Sequence, residues 1–162
     1  MRNKIGIHIS SRRVFGCLVI FGCCLLMATT TLAQDKRTAK EEVSFTDQKW
    51  ADVLKLARQK DQVIFVDAYA SWCGPCKDLK VQTFTNAKVA AYFNAHFINV
   101  SMDMEKGEGL GFADQFAVDS YPTLLFIDNK GRILKKSEGF LDAAQLLALA
   151  NQVTLDSSVS NK

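Results

Sequence analysis

The chain has 162 residues and a formal net charge of +3, from 20 lysines and arginines and 17 aspartates and glutamates. This length fits one ordinary domain with a further segment at one end. Four of the basic residues lie in positions 1–33, so the rest of the chain has 16 basic and 17 acidic residues. Nothing in this balance indicates a basic surface for nucleic acid, and we expect no nucleic-acid partner.

Residues 1–33 have the pattern of a secretory signal peptide. A basic stretch without acids precedes the apolar run Val14–Met27, and small residues follow up to Ala33. We expect cleavage between Ala33 and Gln34. An uncleaved membrane anchor over residues 14–33 is the alternative. The apolar core of 14 residues is short for a membrane span, which needs about 20.

The five cysteines divide between two parts of the chain. Three lie in the predicted signal peptide, where Cys23 also allows lipoprotein cleavage as a weaker alternative. The exported domain keeps Cys73 and Cys76. Structural cysteines of exported proteins normally pair over longer loops, whereas this pair closes a ring too small to brace a fold. We therefore expect a chemical use for it.

Strand-like and helical segments alternate between a polar lead-in at residues 34–42 and a polar tail at residues 156–162. In chain order, the predicted elements are a short strand at Val43–Phe45, a helix from Thr46 or Asp47 through Ala57, strand Val63–Ala68, helix Cys73–Gln82, helix Ala87–Asn94, strand Phe97–Asp103, helix Phe112–Phe116, strand Thr123–Asp128, strand Arg132–Ser137 and helix Leu141–Val153. This order predicts one α/β domain over residues 43–155, with a central mixed β-sheet flanked by helices.

The most informative motif follows the strand at Val63–Ala68. It reads Trp72-Cys73-Gly74-Pro75-Cys76-Lys77. One helical turn brings residues three apart onto the same face, so the two sulfurs can form a reversible disulfide. A strand followed by a helix that opens with Cys-x-x-Cys is typical of thiol–disulfide chemistry.

A bound metal ion and a bound dinucleotide are the alternatives to this interpretation. Zinc needs four ligands, and the predicted mature domain offers only His96 beside the cysteine pair. The glycine-rich stretch Lys106–Gly111 lacks the residue order of a dinucleotide-binding fingerprint and is predicted as a loop. We therefore expect neither a metal nor a cofactor.

Several motifs within residues 43–155 together resemble the thioredoxin family. They are Asp67 in the predicted strand, the run Trp72–Lys77, the loop Tyr121-Pro122-Thr123 before an apolar strand, and Gly139 after the last hairpin. The residues Tyr69–Cys73 and Thr83-Phe84 also resemble exported thioredoxin-like domains that pass electrons across bacterial envelopes. The resemblance implies the thioredoxin fold.

The resemblance also implies three catalytic roles. Cys73 is the attacking nucleophile, and its place at a helix N-terminus favours the thiolate. Cys76 resolves the mixed disulfide, and we expect it to be the less exposed of the two. Asp67 moves a proton to or from the buried thiol. From the residues alone, Asp67 could equally face water on an edge strand, because burying a charge is costly.

The substrate-binding residues implied are Trp72, Gly74, Pro75, Tyr121 and Pro122. Trp72 is expected to pack beside the site and shield the disulfide. A cis bond before Pro122 would place the backbone of Tyr121 beside the sulfurs, where an extended substrate can pair with it. An ordinary trans proline is the alternative, since cis bonds form only about 5–6% of bonds before proline in folded proteins.

One departure from the family concerns the strand beside the buried acid. Thioredoxins commonly carry a lysine there, but residues 98–103 have none, and Asn99 or Ser101 takes that place. A neutral neighbour predicts a raised pKa for Asp67.

The sequence and the resemblance thus predict a monomeric thioredoxin-like reductase that is periplasmic or otherwise exported. Its partners would be disulfide-containing envelope proteins and a membrane or envelope electron donor. Gly74-Pro75 favours reduction, since reducing members of the family share this dipeptide. The alternatives are a disulfide oxidase or isomerase, and a client-binding module for cytochrome or metalloprotein maturation.

Overall fold

The computed structural model describes residues 42–160. The predicted signal peptide, its cleavage site and the anchor and lipidation alternatives lie outside these residues. Its elements are α1 Trp50–Lys60, β1 Val63–Tyr69, α2 Gly74–Asp78, a π-helical segment Leu79–Thr83, α3 Ala87–His96, β2 Phe97–Asp103, α4 Glu108–Phe116, β3 Thr123–Ile127, β4 Ile133–Glu138 and α5 Ala143–Ser160. β1 to β4 lie within a residue or two of their predicted bounds.

The four strands form one mixed sheet in the order β2-β1-β3-β4. β1 pairs in parallel with β2 and antiparallel with β3, and β3 pairs antiparallel with β4. β1 is therefore a central strand with a partner on each side. The predicted central mixed sheet flanked by helices is confirmed.

Successive side chains of β1 point to opposite faces of the sheet, as strand geometry requires. Ile64, Val66 and Ala68 pack with residues of α1 and α4 in one apolar cluster. Phe65 packs on the other face, with Leu79 of the π-helical segment and with residues of α3 and α5. The segment that follows the cysteines therefore covers the face of β1 on which the odd-numbered residues lie.

The predicted strand at Val43–Phe45 is wrong. These residues are extended but belong to no strand of the sheet. The Val43 amide donates to the Phe84 carbonyl at 2.9 Å, and the Thr46 amide donates to the Asn99 carbonyl at 2.9 Å. Because the first bond ends on a turn and only the second on β2, no ladder forms.

Several helices differ from their predicted bounds. α1 begins at Trp50, later than predicted, and the Trp50 amide donates to Glu108 Oε2 at 3.1 Å instead of to a capping side chain of its own segment. α4 begins at Glu108 and includes part of the glycine-rich stretch predicted as a loop. A Cβ on Gly109 would lie 2.0 Å from the Asp103 carbonyl oxygen, so the glycine permits this close approach. α5 extends to Ser160, into the predicted polar tail.

Candidate active site

Cys73 and Cys76 form a disulfide, with their Cα atoms 5.4 Å apart. Cys73 is the N-cap of α2, and its Sγ accepts the Cys76 amide at 3.1 Å. Gly74 and Pro75 form the first turn of that helix, where a proline removes no helical hydrogen bond. Each cysteine is only 2% exposed, so the expectation that Cys76 is the less exposed of the two is wrong for this oxidised state.

Asp67 lies in the middle of β1 and is completely buried. The alternative of an edge-strand residue facing water is therefore wrong. Phe65 and Tyr69 lie two residues before and after Asp67 in β1, so the three side chains lie on the same face of the sheet. Phe65 packs with Leu79, and Tyr69 packs against the two cysteines. Asp67 stands between them on the same face, so its carboxyl group lies on the side of the sheet that the cysteine segment covers.

The carboxyl group of Asp67 has one hydrogen-bond donor. Ser101 lies opposite it in the parallel register, and Ser101 Oγ donates to Asp67 Oδ2 at 2.8 Å. Within residues 42–160, Asp67 Oδ1 has no hydrogen-bond partner. Burial raises the pKa of Asp67 from 3.8 to about 6, while the Ser101 hydrogen bond and the charge of Lys80 act in the opposite direction. Ser101 is one of the two neutral neighbours that the sequence indicated, and the pKa of Asp67 is raised as predicted, with burial as the main cause.

The loop before β3 completes the site. The Tyr121–Pro122 bond is cis, so the alternative of a trans proline is wrong. Tyr121 packs against the cysteine pair. The Gly139 amide donates to the Pro122 carbonyl at 2.8 Å, and Gly139 has a φ of +86°, which favours glycine. Two motifs far apart in sequence are thus joined beside the disulfide.

Comparison with known proteins agrees with this geometry. The family model for thioredoxin matches residues 41–152, a range that takes in both cysteines, Asp67 and the cis-proline loop. The chain belongs to the thioredoxin family. It is a thioredoxin-like thiol–disulfide oxidoreductase, with Cys73 and Cys76 as its paired cysteines.

Proteins of several bacteria are similar to this chain in sequence. The thiol:disulfide interchange protein DsbD of Haemophilus influenzae is 32% identical over 120 residues, covering 71% of this chain and 21% of that protein. DsbD of Pseudoalteromonas atlantica is 26% identical over 152 residues, covering 92% of this chain and 25% of that protein. The chain thus spans only a fifth to a quarter of these relatives.

Solved structures give the same fold. A protein of Bacteroides thetaiotaomicron, described as a candidate disulphide-isomerase, is 40% identical with a TM-score of 0.63, covering 70% of this chain and 94% of that one. A thioredoxin from Thermus thermophilus is 18% identical with a TM-score of 0.64, covering 75% of this chain and 94% of that one. At such low identity, the second match supports the thioredoxin fold alone.

Trp72, which precedes Cys73, is mostly exposed to solvent. Its side chain is 67% exposed and meets the Tyr121 ring edge-on, with the ring centroids 6.0 Å apart. Its indole N–H donates to both carboxylate oxygens of Glu105, at 3.0 and 2.9 Å. The residues that pack with the cysteines are Ala70, Tyr69 and Tyr121. Trp72 therefore shields the disulfide less than predicted.

The sequence reasoning missed two residues near the site. Glu105, in the loop after β2, is 33 positions from the tryptophan it holds, and no sequence signal joins them. Lys80 places its Nζ 3.5 Å from the centroid of the Tyr69 ring. Lys80 lies in the π-helical segment and Tyr69 in β1, so their contact is a tertiary one. The sequence pattern does not indicate a π-helical turn.

In the part of the chain that the structure describes, no group of three or more histidine, cysteine, aspartate or glutamate side chains is placed to hold a metal ion. No helix between residues 42 and 160 combines the length and the apolar character that crossing a bilayer requires. The expectation of no metal and no cofactor stays a prediction.

Proposed function

We propose that this protein is a reductase that opens disulfides of other proteins in the bacterial cell envelope. The observation that carries the proposal is a buried acid, Asp67, on the face of the sheet that the cysteine segment covers. Reduction of a substrate requires Cys76 to lose a proton inside the protein, where water has little access. Asp67, with a pKa of about 6, is ionised at neutral pH and has a free oxygen, Oδ1, to take up that proton.

The reaction begins from the dithiol form. The Cys73 thiolate attacks one sulfur of a substrate disulfide, a Cys73–substrate disulfide forms, and the other substrate sulfur leaves as a thiolate. In this step the Cys76 amide, which points at Cys73 Sγ, stabilises negative charge on that sulfur.

The second step releases the substrate. Cys76 transfers its proton to Asp67 and attacks Cys73, which forms the Cys73–Cys76 disulfide and expels the second substrate thiolate. The substrate has gained two electrons and the protein has lost two. A dithiol donor of the envelope returns the electrons and restores the starting state.

The substrate would lie along the rim formed by Trp72, Gly74, Pro75, Tyr121 and Pro122. Tyr121 packs against the cysteines, and its backbone can pair with an extended substrate segment. The envelope location draws on the predicted signal peptide and on the DsbD relatives, whose name describes thiol:disulfide interchange. We expect a monomer that meets a membrane or envelope electron donor and disulfide-containing envelope proteins as separate partners.

Trapping tests turnover directly. Cys76→Ser should accumulate a disulfide between Cys73 and substrate, visible as a band that reducing agent removes, because the resolving thiol is lost. The matched variant Cys73→Ser should trap nothing and should lose insulin reduction. If the protein keeps its normal function in the cell without either thiol, it acts by binding, as a client-binding module for cytochrome or metalloprotein maturation would.

The reduction potential tests the direction. We expect a value near the −270 mV of thioredoxin, measured by equilibration with dithiothreitol. The Bacteroides thetaiotaomicron relative favours an isomerase as the second candidate function. A value near −180 mV, typical of protein disulfide isomerase, with reactivation of a scrambled substrate, would support that function. A value near −120 mV would identify a disulfide oxidase.

A further inference from the structure

Lys80 occupies an unusual place for a lysine near a disulfide. It belongs to the π-helical segment Leu79–Thr83, which follows the short α2 without a break. A π-helical turn changes the direction of the side chains that follow, and such turns are frequent at functional sites. Lys80 is half-buried, and its Nζ lies 3.5 Å from the centroid of the Tyr69 ring. A cation over an aromatic face is held there by the ring quadrupole.

Tyr69 places this cation on the side of the sheet where Asp67 lies. The two residues are two positions apart in β1, so their side chains share a face. The charge of Lys80 acts on Asp67 and lowers its pKa, against the larger effect of burial. Asp67 has no strand lysine beside it, since Ser101 takes the cross-strand position.

The other polar groups around this face already have partners. Asp103 lies opposite Tyr69 in the register of β1 with β2. Lys106 Nζ makes an ion pair with Asp103 Oδ2 at 2.8 Å, and that hydrogen bond is the main reason why the pKa of Asp103 is lowered. Ser101 donates to Asp67 without supplying charge. Lys80 is therefore the cation that acts on the buried carboxyl group.

We propose that Lys80 is a positioning residue of the active site: held over Tyr69, its charge keeps Asp67 ionised at the pH at which Cys76 must lose its proton. The inference rests on the proposed role of Asp67 as proton acceptor. In this chain the compensating charge comes from the segment that carries the cysteines and not from the neighbouring strand.

The test measures Asp67 directly. Carboxyl ¹³C NMR titration of the oxidised protein follows Asp67, whose signal is assigned by its loss in Asp67→Asn. Lys80→Met should raise the pKa of Asp67 above its value of about 6, by roughly 0.5 or more. Lys80→Arg, which keeps the charge, should leave the titration within experimental error. Lys77→Met removes an exposed lysine three positions away on α2 and should also leave it unchanged.

A second readout follows the chemistry without any protein substrate. The rate at which dithiothreitol reduces the Cys73–Cys76 disulfide, a step in which Asp67 returns its proton to Cys76, is measured against pH by Trp72 fluorescence and divided by the ionised fraction of dithiothreitol. Lys80→Met should shift the pH midpoint of this profile upward together with the Asp67 titration, and Lys80→Arg should restore it. Near-ultraviolet circular dichroism checks that each variant is folded, and Lys80→Gln replaces Lys80→Met if that variant is not.

Two outcomes overturn the proposal. One is an Asp67 titration that is the same in Lys80→Met and Lys77→Met. The other is a shifted titration with an unmoved rate profile, which would make Lys80 a structural residue only. Neither readout uses a protein substrate, so failure to reduce insulin would overturn the proposed function and leave the Lys80 result standing.

Discussion

The two faces of β1 use the same seven-residue strand for opposite purposes. On one face, Ile64, Val66 and Ala68 pack into a cluster with apolar residues of α1 and α4. On the other face, Phe65 belongs to the core but the next residues along are Asp67, with its buried carboxyl group, and Tyr69, with Lys80 over its ring. Strand alternation thus lets one element supply packing and chemistry at adjacent positions, with the sheet between them.

The difference between the faces is energetic as well as chemical. The apolar face gains stability by removing surface from water. The face that carries Asp67 lowers the stability of the fold, because burial disfavours the charged form of Asp67 and raises its pKa to about 6. A site that needs a proton acceptor near neutral pH is therefore expected to lower the stability of the fold that contains it.

The largest expected effect comes from the apolar face. Ile64→Ala should lower the free energy of unfolding by about 2–5 kcal/mol, because the side chain is fully buried and leaves a cavity. Urea unfolding measures this. The exposed control Ile133→Ala in β4, where the side chain is 42% exposed, should change stability by no more than about 0.5 kcal/mol. A shifted Asp67 titration in Ile64→Ala would contradict the independence of the two faces.

Asp67→Asn should have the next largest effect, and it should increase stability. The folded pKa of Asp67 lies above the unfolded value of 3.8, so the unfolded chain loses its proton first as the pH rises and the stability contributed by this group falls between about pH 4 and pH 6. A neutral amide avoids that loss. The gain should be about 3 kcal/mol at pH 8 and near zero below pH 4, by urea unfolding at each pH.

Asp128 is the matched control, because its pKa is shifted in the opposite direction. Burial alone would raise the pKa of Asp128, but hydrogen bonds from the Arg132 amide and side chain and from the Lys130 amide lower it overall. Its carboxylate therefore contributes stability above its unfolded pKa, and that contribution is lost as the pH falls. Asp128→Asn should destabilise the protein at pH 8. If Asp67→Asn also destabilised the protein at pH 8, the assignment of a raised pKa to Asp67 would be wrong.

The sequence predicted the parts of this comparison that local patterns encode. The apolar, partly β-branched run at Val63–Ala68 predicted β1, and the Cys-x-x-Cys run after it predicted the paired sulfurs. The absence of a strand lysine predicted a raised pKa for Asp67, with Asn99 or Ser101 beside it. A local pattern does not reveal which strand is central, so Asp67 at an edge and Asp67 in the middle were equally compatible with the residues alone.

The remaining features depend on contacts between distant segments. Val43–Phe45 has strand-like residues but donates to a turn and not to a strand. α1 begins where Glu108, 58 positions away, accepts its first amide. Lys80 reaches Tyr69 because a π-helical turn follows α2. None of these arrangements has a period or a motif, so tertiary structure alone reveals them.

The smallest effect is expected from Glu105→Ala, which changes the surroundings of one of the two tryptophans. Trp50 packs edge-on against Phe112 and Phe116 on the apolar face, whereas Trp72 stands beside the disulfide with its indole N–H on Glu105. Glu105→Ala should remove that hydrogen bond, which contributes about 1 kcal/mol or less at an exposed position. In a Trp50→Phe background, the emission of Trp72 should shift.

Glu105→Gln, whose amide oxygen still accepts the indole N–H, should restore the emission. Because Glu105 orients an exposed side chain and does not contact the buried carboxyl, Glu105→Ala should leave the Asp67 titration unchanged and slow insulin reduction only a few-fold. A complete loss of reduction would show that the orientation of Trp72 governs the chemistry. In that case the active face of the protein would extend beyond the residues beneath the cysteines to the exposed rim around them.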